Sequence, residues 1–302
     1  MSAWTLNDRV ALITGGARGI GAATGRELER RGAKVVLADV DREALARTAE
    51  QSGAGAMTIE LDVTDQAACE AAVEQVLTAH GRLDIAWANA GIATFGPLML
   101  TAPSAWRRTI EVNVLGSFNT LRAALPAVIE QRGYLAVTAS LASFAHSPGL
   151  SAYATSKAGV EAMCNSLRSE VAHLGVEVAS IHPTWIDTDM VREGDEMRAF
   201  KRLRESLKPP FRRTYPLERA VADIVAGFEA RRRRICSPRF VALAHLLRSA
   251  LTSKAFERDQ LRAAPDIMRM FEEEVAERGV EGASTTERVS AQLHAREPSG
   301  LS

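Results

Sequence analysis

The sequence predicts a doubly wound α/β protein: a parallel sheet with helices on both faces, followed by a C-terminal helical extension. Three observations predict it. Short apolar runs alternate with helical stretches from residue 10 to residue 181, the pattern of a parallel sheet with crossover helices. The first apolar run ends in a glycine-rich turn that opens a helix. Polar, glycine or proline residues (Gly15, Asp39, Asp62, Asn89, Ser140 and Pro183) stand where the apolar runs stop. In sheets of this kind the ligand lies beyond the carboxyl ends of the strands.

The first strand is read at 10–14, a buried apolar run. Thr14-Gly15-Gly16-Ala17-Arg18-Gly19-Ile20-Gly21 follows, and Ala22, Ala23 and Leu28 begin a helical pattern. Strand, glycine turn and helix together make a phosphate cradle of Rossmann type. The glycines let the backbone approach a pyrophosphate, whose charge sits at the helix N-terminus. The second strand, 34–38, ends in Asp39. That acid lies 18 residues after Gly21, where a ribose-binding carboxylate belongs. A helix is expected over 41–51 and a strand over 56–61, ending in Asp62-Val63. The next helix spans 65–80, with Asp65 as N-cap and Gly81 just past its end. Residues 83–88 form a strand closed by Asn89-Ala90-Gly91, and 104–130 a long helix carrying Asn113. A strand at 134–138, a loop at 139–149, a helix at 150–174 and a strand at 176–181 complete the alternation.

The pattern breaks over 182–215, a charged stretch with Pro209-Pro210. An irregular insertion beside a cofactor cleft reads as a lid (184–215), with a surface loop as the alternative. A helix at 217–230, the run Arg231 to Arg234 and a short last strand at 235–237 follow. Residues 1–237 thus form the dinucleotide-binding and catalytic domain, and 238–302 the extension. In the extension, residues 240–251 are apolar on one face, 266–278 form a second helix ending at Gly279, and a mobile tail follows.

Composition sets limits on function. Lys+Arg and Asp+Glu are both 37, so bulk charge gives no support for nucleic-acid binding. Cys69, Cys164 and Cys236 form no CxxC or zinc spacing, and the six histidines form no paired-ligand motif. No metal is expected. Neither a signal peptide nor a run of 18 apolar residues is present, and the expected location is the cytoplasm.

Ser151-Ala152-Tyr153-Ala154-Thr155-Ser156-Lys157 holds the chemistry-bearing pair. Tyrosine and lysine four apart share one helix face. An ammonium beside a phenol stabilises phenolate and lowers its pKa. Bringing a tyrosine from ~10 to roughly 7 takes about 4 kcal/mol, which one close cation can supply. The pair would then serve as a general acid/base at neutral pH.

These residues resemble the classical branch of the short-chain dehydrogenase/reductase family over roughly residues 8–237. The matching motifs are the Thr14 to Gly21 turn, Asn89-Ala90-Gly91, Asn113, Ser140, and Tyr153 with Lys157, in order and at the family's separations. The resemblance implies that Tyr153 exchanges a proton with a substrate hydroxyl or carbonyl. Lys157 would lower its pKa and hold the nicotinamide ribose, and Ser140 would hold the substrate oxygen. Asn113 would sit at a helix kink and hold a water linking Lys157 to solvent. Ser143 reads as a loop-capping serine. The implied cofactor contacts are Gly15, Ala17, Arg18, Gly19, Ile20, Gly21, Asp39, Asp62, Val63, Asn89, Ala90, Gly91, Tyr153, Lys157, Pro183, Ile186 and Thr188. Asp39 would accept from the ribose hydroxyls and repel a 2′-phosphate, which favours NAD. Arg18 and Arg42 are the features that would favour NADP. Where the family has Pro-Gly, this chain has Pro183-Thr184, which suggests a different loop path. Trp185 is expected in the substrate pocket or the core.

The function expected is an oxidoreductase moving hydride between NAD and a secondary alcohol or ketone with a bulky apolar body, steroid-, lipid- or polyketide-like. An NADP-dependent ketoreductase and a non-catalytic dinucleotide-binding protein are the alternatives. The resemblance also implies a homodimer or homotetramer. The helix at 240–251 is expected to close the cleft or meet a subunit, in preference to lying on a membrane beside the arginine run.

Overall fold

The computed structural model describes residues 4–52, 56–286 and 289. Seven parallel strands lie in the order β3-β2-β1-β4-β5-β6-β7. They are β1 (Val10–Thr14), β2 (Lys34–Asp39), β3 (Met57–Glu60), β4 (Ile85–Ala88), β5 (Tyr134–Thr138), β6 (Glu177–Pro183) and β7 (Arg234–Ser237). The order reverses beside β1, so a crevice opens between the ends of β1 and β4. The central strands β1, β4 and β5 are largely apolar and buried because helices cover both faces. One face carries α1 (Gly19–Arg30), α2 (Arg42–Glu50) and α9 (Leu217–Glu229), packed through Leu28, Leu45 and Phe228. The other carries α3 (Gln66–His80), α5 (Gly116–Glu130) and α6 (Ser151–Val171), packed through Val76, Leu121 and Val160.

Local chemistry sets the ends of these elements. Asp65 caps α3 by accepting from Ala68 N at 3.0 Å, and Gly81 closes it at φ 71°. α4 (Pro103–Ile110) runs through a π turn, Glu111–Leu115, into α5. This composite helix, Pro103–Glu130, is long and apolar enough to cross a membrane, and half of its apolar window is buried inside the fold.

The stretch expected to be irregular contains two helices, α7 (Asp189–Glu196) and α8 (Arg198–Ser206). Buried Arg204 ties them down. It pairs with Asp195, donates to Thr214, and lies 5.0 Å from the Trp185 ring. Trp185 donates from Nε1 to Phe211 O at 2.7 Å, and Ile186 bridges Tyr215. Thr184 does not redirect the chain. Its N–H bonds Ser237 O at 3.1 Å and extends the β6–β7 pairing, with no positive φ that would call for glycine.

The extension also departs from expectation. α10 (Phe240–Leu246) and α11 (Arg248–Leu251) are short, and α12 (Lys254–Ser284) starts well before residue 266. Ser253 caps it, and Pro265 sits inside it on the exposed side, where water can serve the carbonyl left unpaired. Gly279 (φ 73°, ψ 166°) leaves helical geometry and ends the first of two helices that meet at a kink, as expected. Beyond it the chain packs back: Ser284 O accepts from Phe95 N and Ser284 Oγ from Ala102 N, both at 2.9 Å. The expected mobile tail lies, after residue 286, outside the described residues apart from Val289. The arginine run is part of the body. Arg231 donates to three carbonyls, of Arg132, Gly133 and Gly175, and Arg233 pairs with Glu177.

Candidate active site

The turn after β1 can close only with glycine. Gly15 has φ +64°, and a Cβ there would lie 2.7 Å from Ala90 Cα. A Cβ on Gly21 would lie 2.3 Å from Gly15 O. The helix that follows has no side-chain cap at Arg18 and no acid in its first turn. Its first N–H groups are therefore available to an anion. Asn89 holds the turn by donating from Nδ2 to Gly15 O at 3.0 Å. Asn89 in turn accepts at Oδ1 from Thr138 Oγ1 at 2.9 Å, and Thr138 accepts from Trp87 Nε1 at 2.9 Å. Thr14 Oγ1 accepts from Asn89 N and Ala90 N.

Asp39 ends β2 with one carboxylate oxygen accepting from Ala17 N at 3.2 Å and the other from Asp41 N at 3.1 Å. Burial pushes its carboxyl above the usual range, and these backbone donors oppose that. Arg18 is held by Asp41 at 2.6 Å, while Arg42 is exposed. Asp62 accepts from Thr64 and lies 3.5 Å from Arg108.

Tyr153 and Lys157 sit one turn apart on α6, as their spacing requires. Lys157 is 3% exposed and donates to Thr138 O at 2.8 Å. Burial lowers it to about 8. Its ammonium lies 5.5 Å from the centre of the Tyr153 ring. Tyr153 is pushed up by burial and pulled back by its hydrogen bond with Ser140. Burial is the larger of the two effects, so the phenol stands above its ordinary value in this cleft. Ser140 caps the 3-10 turn Leu141–Ser143, accepting from Ala142 N at 3.1 Å. Ser143 is the capping serine expected: its Oγ accepts from Ser140 N and donates to Lys157 O. Behind the turn, His182 Nδ1 lies 3.1 Å from Ser140 O and its Nε2 3.0 Å from Ser180 Oγ.

One cavity joins these groups. Gly15, Arg18, Gly19, Ile20, Asp39, Asp62, Val63, Asn89, Ala90, Gly91, Ser140, Tyr153, Lys157, Pro183, Ile186 and Thr188 all line it. Three expected site residues do not. Ala17 is 3% exposed and packs in the core. Gly21 acts by close packing behind the turn. Asn113 lies in the π turn, and its amide is spent on Ile92 N, Ile92 O and Ser156 Oγ at 2.8–2.9 Å. Gly91 passes between it and Lys157; a Cβ there would meet Asn113 Oδ1 at 3.2 Å and Lys157 Nζ at 3.3 Å.

Sequence reasoning missed Thr138, Arg108 and the cavity residues of the extension, Phe256, Asp259, Gln260, Thr286 and Val289. Thr138 was detectable as a polar strand end. The others depend on tertiary folding. Trp185 serves both expected roles, lining the cavity and packing edge-on against Phe200 at 5.6 Å.

The sequence profile of short chain dehydrogenase matches residues 9–199. An uncharacterized NAD-dependent oxidoreductase of Mycobacterium tuberculosis is 33% identical over 214 residues, covering 65% of this chain and 78% of that protein. The (-)-trans-carveol dehydrogenase of Rhodococcus erythropolis is 34% identical over 213 residues, covering 65% and 77%. A crystal structure of a short chain dehydrogenase/reductase from Burkholderia phymatum in complex with NAD superposes with a TM-score of 0.71 at 25% identity, covering 80% of this chain and 94% of that one.

Proposed function

Because the chain belongs to the short-chain dehydrogenase family, whose relatives include NAD-dependent oxidoreductases, we propose that it moves hydride between NAD and a secondary alcohol or ketone with a bulky apolar body. The observation that carries this is the single cavity shared by the glycine turn and by Ser140, Tyr153 and Lys157. NAD would be held by the turn from Gly15 to Ile20, by Asp39 at its ribose, by Asp62 and Val63 at its base, and by Asn89 to Gly91, Lys157, Pro183, Ile186 and Thr188 along its length. When bound it supplies the hydride acceptor or donor.

The protein's own groups manage the substrate oxygen. Ser140 hydrogen-bonds it, and Tyr153 takes its proton in oxidation or returns one in reduction. Lys157 balances charge as the phenol ionises. Asn113 fixes Ile92 and Ser156 beside them and so positions the lysine's surroundings. NAD is favoured over NADP because Asp39 faces the cavity and Arg18 is already paired with Asp41. The apolar body is read from Trp185, Phe200, Phe211 and Phe256 in the cavity wall. A working unit of residues 1–237 with an extension from 238 onward, which adds Phe256, Asp259, Gln260, Thr286 and Val289 to the cavity wall, fits this reading, and three free thiols accord with the cytoplasm.

The test is a panel of alcohols and ketones with NAD(H) and NADP(H), followed at the nicotinamide absorbance, with Tyr153→Phe beside the wild type. Turnover should fall by about 10³-fold or more while NADH binding is kept. Equal turnover in the variant would remove Tyr153 from the mechanism. The helices bearing Asn113 and Tyr153 are also assigned as the pairing face of a homodimer or homotetramer, on the strength of exposed Leu115 (50%) and Phe118 (46%).

A further inference from the structure

Beyond Tyr153 the cavity runs between the lid and the extension. Its walls there are largely apolar, with Phe95, Leu150, Trp185, Phe200, Phe211 and Phe256 among them. α12 supplies one side through Phe256, Asp259 and Gln260, at the start of a buried face spaced three and four residues apart: Gln260, Ala263, Ile267, Phe271 and Glu274. Two residues of that face are polar. Glu274 has a structural task, since its Oε1 accepts from Ala199 N at the start of α8 at 3.1 Å. Gln260 has none. It is 8% exposed, lines the cavity, and makes no hydrogen bond among the described residues.

An amide lining an otherwise apolar cavity is a polar group placed where a ligand can meet it. The cavity wall carries a second unspent group. Thr286 is 5% exposed, lines the cavity, and its Oγ1 has no partner. The charged groups at this end, Lys208 and Asp259, face each other at 3.6 Å. An anionic substrate group would find that lysine already paired.

We propose that Gln260 is a recognition point for a second, uncharged oxygen on the substrate. The substrate class is then an apolar skeleton that carries the reacting secondary alcohol or ketone and, remote from it, a hydroxyl or carbonyl. A carboxamide suits either, donating to a carbonyl or accepting from a hydroxyl. Apolar pockets with a few placed polar groups use them to fix orientation. Gln260 would thus decide which end of a two-oxygen molecule meets Tyr153. This inference rests on the oxidoreductase reading of the same cavity.

The test compares decalones, with one oxygen, against decalin diones and hydroxydecalones, with two. Wild-type protein should prefer the two-oxygen compounds by about tenfold in kcat/KM and in affinity measured by calorimetry. Gln260→Leu should bring both ratios to about one, mainly through KM, and Leu261→Ala on the exposed side should keep them. Gln260→Met, of equal length, serves if the leucine variant does not fold. A wild type with no preference, or variants that retain it, would overturn the proposal. Absence of turnover with a Gln260-dependent binding preference would overturn the oxidoreductase reading and leave this one standing. Absence of both turnover and preference would overturn both.

Discussion

The proposed preference for NAD rests on one side chain, Asp39. Its carboxylate spans the glycine turn and the backbone at Asp41, so a phosphate nearby would meet a fixed negative charge. Asp39→Ala should raise the ratio of NADP to NAD use by about tenfold or more, read as kcat/KM with each cofactor; an unchanged ratio would detach the preference from this residue. His182 is the second residue with a measurable signature. Ser140 O can only accept, so Nδ1 carries the proton and Nε2 accepts from Ser180. Burial lowers His182 from 6.5 to about 4. The unfolded chain therefore binds more protons between those values, and stability should fall as pH drops through that window. Glu161 and His245, paired at 2.8 Å nearby, belong to the same buried cluster. The urea midpoint should be lower at pH 5 than at pH 7, and His182→Gln should shrink the difference. Equal wild-type midpoints would refute it. The residue identities at the site were legible in the sequence because each needs a particular chemistry. Their titration was not: the spacing of Tyr153 and Lys157 gives proximity, whereas burial, which raises the phenol's pKa, is a property of the folded chain.

At the scale of elements, the strand–turn–helix at residues 10–30 was readable almost residue by residue, because glycine is required where backbones nearly touch. Gly21→Ala would force a methyl group onto Gly15 O. It should cost about 1–3 kcal/mol of stability and weaken NADH binding. Denaturant melts and a fluorescence titration check both, and an unaltered melt would show that the turn can give way. The helices α7, α8 and α12 were harder to read. Charged residues and Pro209-Pro210 concealed the first two, and Pro265 concealed the start of the third. Proline breaks a helix only where the lost hydrogen bond must be kept, and here that side faces water. Thr184 is the opposite case. It looked like a departure from the family's glycine, yet its N–H simply continues a sheet pairing.

For the whole molecule, the parallel sheet and its crevice followed from alternation alone, and seven strands in the order β3-β2-β1-β4-β5-β6-β7 bear it out. The far wall of the cavity did not follow, since it is made by contacts between segments distant in sequence. Ser284 meets Phe95 and Ala102, and Ala263, Ile267 and Phe271 of α12 pack on Ala199, Phe200 and Leu203 of α8. Exposed Leu115 and Phe118 point to self-association. Sedimentation velocity should give at least a dimer at micromolar concentration, and Phe118→Glu should shift it toward monomer. A monomeric wild type would remove that face from consideration.

The kink at Gly279 has a consequence for the order in which the protein is built. A chain made from its N-terminus completes all seven strands by Ser237, with Tyr153 and Lys157 already on their helix. The bond from Ala102 to Ser284 closes a span of 182 residues and waits for nearly the whole described chain. The sheet, and the helix that carries both residues, are thus synthesised before the segment that pins the end of α12 to the sheet domain.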